Sequence, residues 1–250
     1  MEITIILLAV LIGYLFGSFS GARFVVRVFA PEHALEGIRA EVPDGEAVFQ
    51  SSAISGTAVR LHLGPRYGCL TSILDMLKAA LPALAFRAWQ PDAPYYLIAA
   101  GMATVGHIWP VYYRFKGGRG MSPILGGLFV LDWLGVVITQ LVGALTGLVI
   151  KNTMIMIGTG IALMIPWIWF RTGSWAQVIY TVSMNILFWS AMSPEIREVR
   201  RLKQEGTLEE FSEATQIRIV GRRGEEVTEP RGIAYLRKRL ASLFQGEKST

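Results

Sequence analysis

Between residues 121 and 150 the chain carries a single charge, Asp132, in thirty consecutive positions. Few folds can hide such a stretch from water, and a helix crossing about 30 Å of hydrocarbon needs about 20 residues. Thirty is long for one upright span and short for two, so a short or broken helix is expected up to residue 133, followed by a full one. Other apolar runs cover residues 3–29 (beginning ITIILLAVLIGYLFGS), 67–87, 94–113, 154–170 and 174–192. No small-residue cleavage site follows the first run, which is long for a signal peptide, so it reads as a retained span. The interval 31–66 is too charged to cross. These runs predict an all-α, polytopic integral membrane helix bundle of about seven transmembrane helices, with about five as the lower bound. The transmembrane domain is expected over 1–192, including the polar loop at 31–66, and a small soluble extension over 193–250.

Composition agrees with a membrane protein, at 52% hydrophobic and 17% charged residues. Cys69 is the only cysteine, which excludes an intramolecular disulfide and a cysteine-based metal site. Of the 24 Lys and Arg, 12 fall after residue 192 beside 10 Asp and Glu, so the tail is a mixed-charge segment. With seven spans, Arg23, Arg27, Arg60, Arg66, Arg114, Lys116, Arg119, Lys151 and the tail share one side, and Arg87 and Arg171 share the other. The positive-inside rule makes the larger set cytoplasmic, with the N-terminus outside and the C-terminus inside.

One cytoplasmic passage concentrates unusual chemistry: GHIWPVYYRFKGGRGMSP, residues 106–123. Its glycines allow positive φ angles and close backbone approach, so successive amides can turn towards one anion. Lys116 and Arg119 add charge, the latter as a planar fork suited to phosphate oxygens. A basic turn that only sets topology and attracts anionic lipid heads is the competing reading. His107, inside the preceding apolar run, is either a packed, hydrogen-bonded residue or a functional one, as ionisable groups within membranes tend to be.

GHIWPVYYRFKGGRGMSP resembles the signature GHxxPVFxxFKGGKGVAT of the bacterial acyl-phosphate-dependent glycerol-3-phosphate acyltransferases, the PlsY family. LGPRYGCLTSILDMLKAALP is similar to the family's LGxxxGxxxxxLDxxKGxxP, and GYLFGSFSGARFVVR to its N-terminal GSIPxGxxxAR. The likeness runs in order from residue 10 to about residue 210, and implies a bundle of seven spans with cytoplasmic motifs and no metal or other cofactor. It also implies transfer of a fatty acyl group from acyl phosphate to the 1-hydroxyl of glycerol 3-phosphate, in phospholipid synthesis at the bacterial cytoplasmic membrane. The implied partners are acyl phosphate, glycerol 3-phosphate and membrane lipids, with no nucleic acid and no assigned protein partner for the tail. Ser51, Arg60 and His107 take the catalytic positions. Thr57, Lys116, Gly117, Gly118, Arg119, Gly120, Ser122 and Arg201 take the substrate-binding ones.

The departures from the family pattern are concentrated in two motifs. The family's GSGNxGATN corresponds to QSSAISGTAV, where only Ser51 and Thr57 stay in place and Arg60 lies one position before the expected Arg, now Leu61. Its HxxNxxRLxxGxE corresponds to EIREVRRLKQEGTLEE. Arg201 and Leu202 match there, Gly206 and Glu209 follow after a short insertion, and Glu195 and Glu198 replace His and Asn. Two carboxylates repel a phosphate. An active acyltransferase and a non-catalytic homologue that binds a phosphate-bearing lipid or metabolite, or associates with an active enzyme, both remain open.

Asp75 and Lys78 lie three apart on one helical face and can pair, either as a structural ion pair with Lys78 snorkelling to the interface or in support of the phosphate site. In the tail, TQIRIVGRRGEEVTEP has the pattern of a small hairpin. Ile233, Leu236, Leu240 and Phe244 recur at helical spacing opposite Arg237, Lys238 and Arg239, as in a helix that lies on a membrane surface, packs on the hairpin or binds a partner.

Overall fold

The computed structural model describes residues 2–32, 38–41, 48–150, 153–205, 216–220 and 226–230. Two compact units are present: residues 1–35 with 52–193, and residues 36–51 with 194–250.

The first unit is helical. Its elements are α1 Glu2–Ser18, α2 Gly21–Phe29, α3 Gly56–Leu63, α4 Pro65–Trp89, α5 Tyr95–Ile108, a 3-10 turn Val111–Tyr113, α6 Met121–Ile150, α7 Thr153–Thr172 and α8 Trp175–Gln204. The part of α8 from Pro194 onwards belongs to the second unit. Among the described residues, four stretches are long and apolar enough to cross a membrane: Glu2–Phe29, Pro65–Trp89, Met121–Ile150 and Ile155–Thr172. Exposed Leu, Ile, Phe and Trp side chains along them, such as Leu7, Leu81, Leu145 and Phe170, form the surface that lipid covers.

Several boundaries differ from those the sequence predicts. The run 3–29 is not one helix, because the chain breaks at Phe19 and Ser20. Ser20 is extended (φ −98°, ψ 105°) and its hydroxyl accepts the amide of Arg23, which starts α2 as a new helix. The run 94–113 is helical only to Ile108 and then turns at Pro110, whose ring cannot continue a helix. The polar interval 31–66 contains α3, and α8 runs on to Gln204 rather than stopping near residue 192.

The break expected within 121–150 is present at Asp132 (φ −155°, ψ 96°). Its carboxylate accepts the amide of Gly135 at 3.0 Å, capping the second half of α6, and accepts Trp167 Nε1 at 3.0 Å. It also pairs with Arg171 at 2.5 Å. Arg87 donates to the carbonyl of Val130 beside it, so the two cations assigned to the opposite side of the membrane meet at this kink.

Small residues let the helices approach. Gly13 and Gly17 of α1 face the backbone of Ala99 and Ala103 in α5, and Gly143 and Gly147 of α6 face α7 at Met156 and Gly160. Lipid offers no hydrophobic drive for helix association, so close backbone packing of this kind supplies much of it.

The second unit holds a four-stranded antiparallel sheet of order β2-β1-β3-β4, with β1 Ile38–Glu41, β2 Val48–Ser51, β3 Gln216–Val220 and β4 Glu226–Pro230. The register pairs Ile38 with Ser51, Ala40 with Ile219, and Gln216 with Pro230. The hairpin expected in the tail is therefore formed, and the polar loop contributes two strands that an all-α reading does not contain. The amphipathic pattern at 233–244, Gly206, Glu209 and Lys151 lie outside the described residues.

A Cβ added at Gly13 would overlap the carbonyl of Ala99, and backbone cannot yield, whereas one at Gly101 makes ordinary contacts with Met184 Cε at 3.5 Å and Tyr180 Cε2 at 3.8 Å. Gly13→Ala should therefore destabilise the helical unit by about 1–3 kcal/mol. Gly101→Ala should leave the thermal midpoint in detergent nearly unchanged.

Candidate functional site

A buried cation lies where three helices meet. The ammonium of Lys78 in α4 forms an ion pair with Asp75 Oδ1 at 2.9 Å and hydrogen bonds with His107 Nδ1 at 2.6 Å and the carbonyl of Phe19 at 2.8 Å. Lys78, Asp75 and His107 are all buried, so the reading of Lys78 as a snorkelling interfacial residue is incorrect. Its charge is met inside the protein by a carboxylate and two further acceptors, which is what a buried cation requires. The Phe19 carbonyl is available because α1 has ended there and no helical amide claims it.

His107, in the last turn of α5, connects this cluster to the FKGGRG loop. The amide of Gly118 donates to the His107 carbonyl at 3.1 Å, and the amide of Ile54 donates to the Gly117 carbonyl at 3.1 Å. Arg23 Nη2 donates to the carbonyl of Lys116 at 2.9 Å, while its guanidinium lies 4.1 Å from the centre of the Tyr113 ring. The Ser18 hydroxyl accepts the amide of Val111 at 3.3 Å, and the Tyr14 hydroxyl donates to the carbonyl of Trp109 at 2.9 Å. The α1–α2 break and the loop are thus bound to each other.

The glycines of the loop serve close approach more than unusual torsion. Only Gly120 has a positive φ, 81°; the other left-handed residues there are Arg114 (52°) and Phe115 (61°). A Cβ at Gly117 would strike the carbonyls of His107 and Ile108, and one at Gly118 would overlap the His107 imidazole. The amides of Lys116 and Gly118 are spent on the Tyr113 and His107 carbonyls, so the expected run of successive amides facing one ligand is not what the loop presents. What it presents is the exposed Lys116 with the half-buried Arg119 nearby, and a crevice lined by Ser18, Ser20, Lys78, His107, Gly117 and Gly118 among others. The crevice is a narrow surface indentation with essentially no enclosed space for a water molecule.

The remaining sequence-predicted residues are more dispersed. Ser122 is in the first turn of α6. Thr57 and Arg60 are on the exposed side of α3, and among the described residues no hydrogen bond joins them to the loop. α3 is held by Ala58 and Val59: Val59 packs with Ala22, Val25, Val26 and Ile54, and Gly68 of α4 sits against Arg60 Cβ. In the second unit, Ser51 ends β2 and its buried hydroxyl donates to Glu195 Oε1 at 2.7 Å. Arg201, near the end of α8, pairs with Glu198 at 2.7 Å and Glu205 at 3.8 Å. Glu195 and Glu198, which stand where the resembling family has His and Asn, therefore engage Ser51 and Arg201.

A family model described as glycerol-3-phosphate acyltransferase matches residues 7–202. The chain belongs to the glycerol-3-phosphate acyltransferase family. Its relative in Legionella pneumophila (strain Corby), a glycerol-3-phosphate acyltransferase, is 28% identical over 144 residues, 57% of this chain and 46% of that protein. The Myxococcus xanthus enzyme of the same description is 40% identical over 82 residues, 32% of this chain and 43% of that protein. The chain spans about half the length of the curated relatives it matches. Two crystal structures of PlsY, an integral membrane glycerol 3-phosphate acyltransferase, share the fold. The glycerol 3-phosphate form has a TM-score of 0.64 at 21% identity, covering 81% of this chain and 93% of that one. The lysophosphatidic acid form has a TM-score of 0.64 at 23% identity, covering 83% and 99%. The chain is a multi-pass membrane protein of this family.

The sequence singles out His107 and the loop but not Arg23 or the Phe19 carbonyl, which bond the loop and Lys78. Arg23 was visible in GARFVVR as a cation next to an apolar run. A backbone carbonyl released by a helix break leaves no trace in the sequence. Gly118→Ala should force His107 or the loop to move and lower stability by about 1–3 kcal/mol. Thr57→Ala, at an exposed position, should change stability by less than about 0.5 kcal/mol, and thermal unfolding of the purified variants compares them.

Proposed function

We propose that the chain transfers a fatty acyl group from acyl phosphate to the 1-hydroxyl of glycerol 3-phosphate at the bacterial cytoplasmic membrane. The hydroxyl oxygen attacks the acyl carbon, the bond from that carbon to the phosphate oxygen breaks, and inorganic phosphate leaves. The products are 1-acylglycerol 3-phosphate and phosphate, with the hydroxyl proton passing to phosphate or water. The observation that carries this reading is the loop 116–120 closed onto His107, with Lys116 exposed and Arg119 half-buried. Both reactants bear a phosphate, and two cations on a loop tied down by Arg23, Ile54 and His107 suit such groups. Much of the rate then comes from positioning and from stabilising the charge on the departing phosphate. Lys116 and Arg119 hold phosphate oxygens, Gly117, Gly118 and Gly120 allow close approach, and Ser122 borders the loop. Thr57, Arg60, Ser51 and Arg201 are carried into this proposal from the family pattern, with Ser51 and Arg201 acting through side chains that glutamates orient.

Purified protein in nanodiscs, given acyl phosphate and radiolabelled glycerol 3-phosphate, should yield labelled 1-acylglycerol 3-phosphate. Lys116→Ala and Arg119→Ala should each weaken glycerol 3-phosphate binding tenfold to a hundredfold, about 1.5–3 kcal/mol. Binding without any labelled lipid product would point instead to a non-catalytic member of the family.

The proposed orientation puts the N-terminus outside and the loop and C-terminus in the cytoplasm. In a Cys69→Ser background, Lys116→Cys should resist an impermeant thiol reagent in intact cells and react after the membrane is opened. Strong labelling of intact cells would reverse the orientation.

A further inference from the structure

The contacts of Lys78 bear on the chemistry of His107. A lysine ammonium has three donors and no acceptor. Here hydrogen bonds join it to the Phe19 carbonyl at 2.8 Å and to His107 Nδ1 at 2.6 Å, and Asp75 Oδ1 stands 2.9 Å away as the counter-charge. Facing an ammonium at that distance, Nδ1 accepts through a bare lone pair. The alternative, Nδ1–H donating to Asp75, does not fit, since that separation is 3.7 Å, beyond a hydrogen bond. A neutral imidazole with Nδ1 bare carries its proton on Nε2. Nε2 is the ring atom beside Gly118, His107 and Gly118 both line the crevice, and among the described residues no hydrogen-bond partner is found for Nε2.

We propose that Asp75 and Lys78 are positioning residues that lock His107 as the Nε2–H tautomer, so that it serves as a neutral hydrogen-bond donor to an anionic oxygen that approaches the mouth of the crevice beside Gly118. The ligand class, a phosphate or acyl phosphate oxygen, rests on the function proposed above; the lock itself does not. In this state His107 cannot take a proton from the attacking hydroxyl, because Nε2 already bears one and Nδ1 is occupied. It assists by polarising an oxygen that is gaining charge, as donors of an oxyanion site do. Gly118 is then required because any side chain would displace the imidazole at Nε2.

The chain has three histidines, so the double variant His33→Gln/His62→Gln leaves His107 as the only imidazole. Nitrogen-15 spectra of that protein, folded in nanodiscs at neutral pH, read the tautomer directly. The expected result is a bare Nδ1 and a protonated Nε2, with inorganic phosphate shifting the Nε2 signal and leaving Nδ1 bare. In Asp75→Asn/Lys78→Met, which removes the donor without leaving an unpaired charge, the Nδ1 signal should move while the protein stays folded. A protonated Nδ1, or a doubly protonated ring, in the parent overturns the proposal even if the enzyme turns over. A correct tautomer whose Nε2 ignores saturating phosphate overturns the assignment of an anion to that donor. The expected tautomer with the expected phosphate response, in a protein that makes no labelled lipid, upholds the proposal and defeats the acyltransferase reading alone.

Discussion

A lysine ammonium withdrawn from water sets the terms for the helical unit. Burying Lys78 is tolerable only if every N–H finds an acceptor and a negative charge stands close by. Asp75 supplies the charge from one turn away on the same helix. The other two acceptors come from points where helices stop: Phe19 at the end of α1 and His107 in the last turn of α5. An unbroken helix through residues 3–29 would have kept the Phe19 carbonyl for its own ladder. The interruption at Phe19 and Ser20 and the buried cation thus depend on each other.

The same junction fixes the loop. His107 offers its ring to Lys78 and its carbonyl to the Gly118 amide, so one residue joins the ion cluster to the backbone that follows it. Close approach makes this possible, since Gly117 and Gly118 leave no room for a side chain against His107 and Ile108. Gly106 similarly lets α5 meet Tyr14 and Ser18 of α1. In a bundle without a hydrophobic drive between its helices, such contacts hold the elements at a spacing that the polar bonds can use. Asp132 repeats the pattern elsewhere in α6: one charge in an apolar run, a local break, and partners in Gly135, Trp167 and Arg171.

In the second unit, each of the two glutamates that depart from the family pattern receives a hydrogen bond. Two glutamates stand where the family has His and Asn, and the sequence alone suggests repulsion of a phosphate. In the structure Glu195 receives the Ser51 hydroxyl and Glu198 the Arg201 guanidinium. A buried carboxylate with a hydroxyl donor is far less costly than an unpaired one. The Ser51–Glu195 pair is buried. Arg201 is more than half exposed, and its ion pairs are worth little in stability.

Sequence by itself determined the apolar runs, the break at Asp132, the hairpin at 216–230, the pairing of Asp75 with Lys78 and the Gly-basic loop. Each of these follows from composition or from contacts a few residues apart, where periodicity and turn chemistry act directly. It did not determine where the chain breaks at Phe19, that β1 pairs with β3, that Arg23 holds the loop, or which proton His107 carries. Those depend on partners far away along the chain: 59 residues separate Lys78 from Phe19, and 93 separate Arg23 from Lys116. A carbonyl or a ring nitrogen has the same identity in every sequence context, and only the tertiary structure decides what is brought within bonding distance of it.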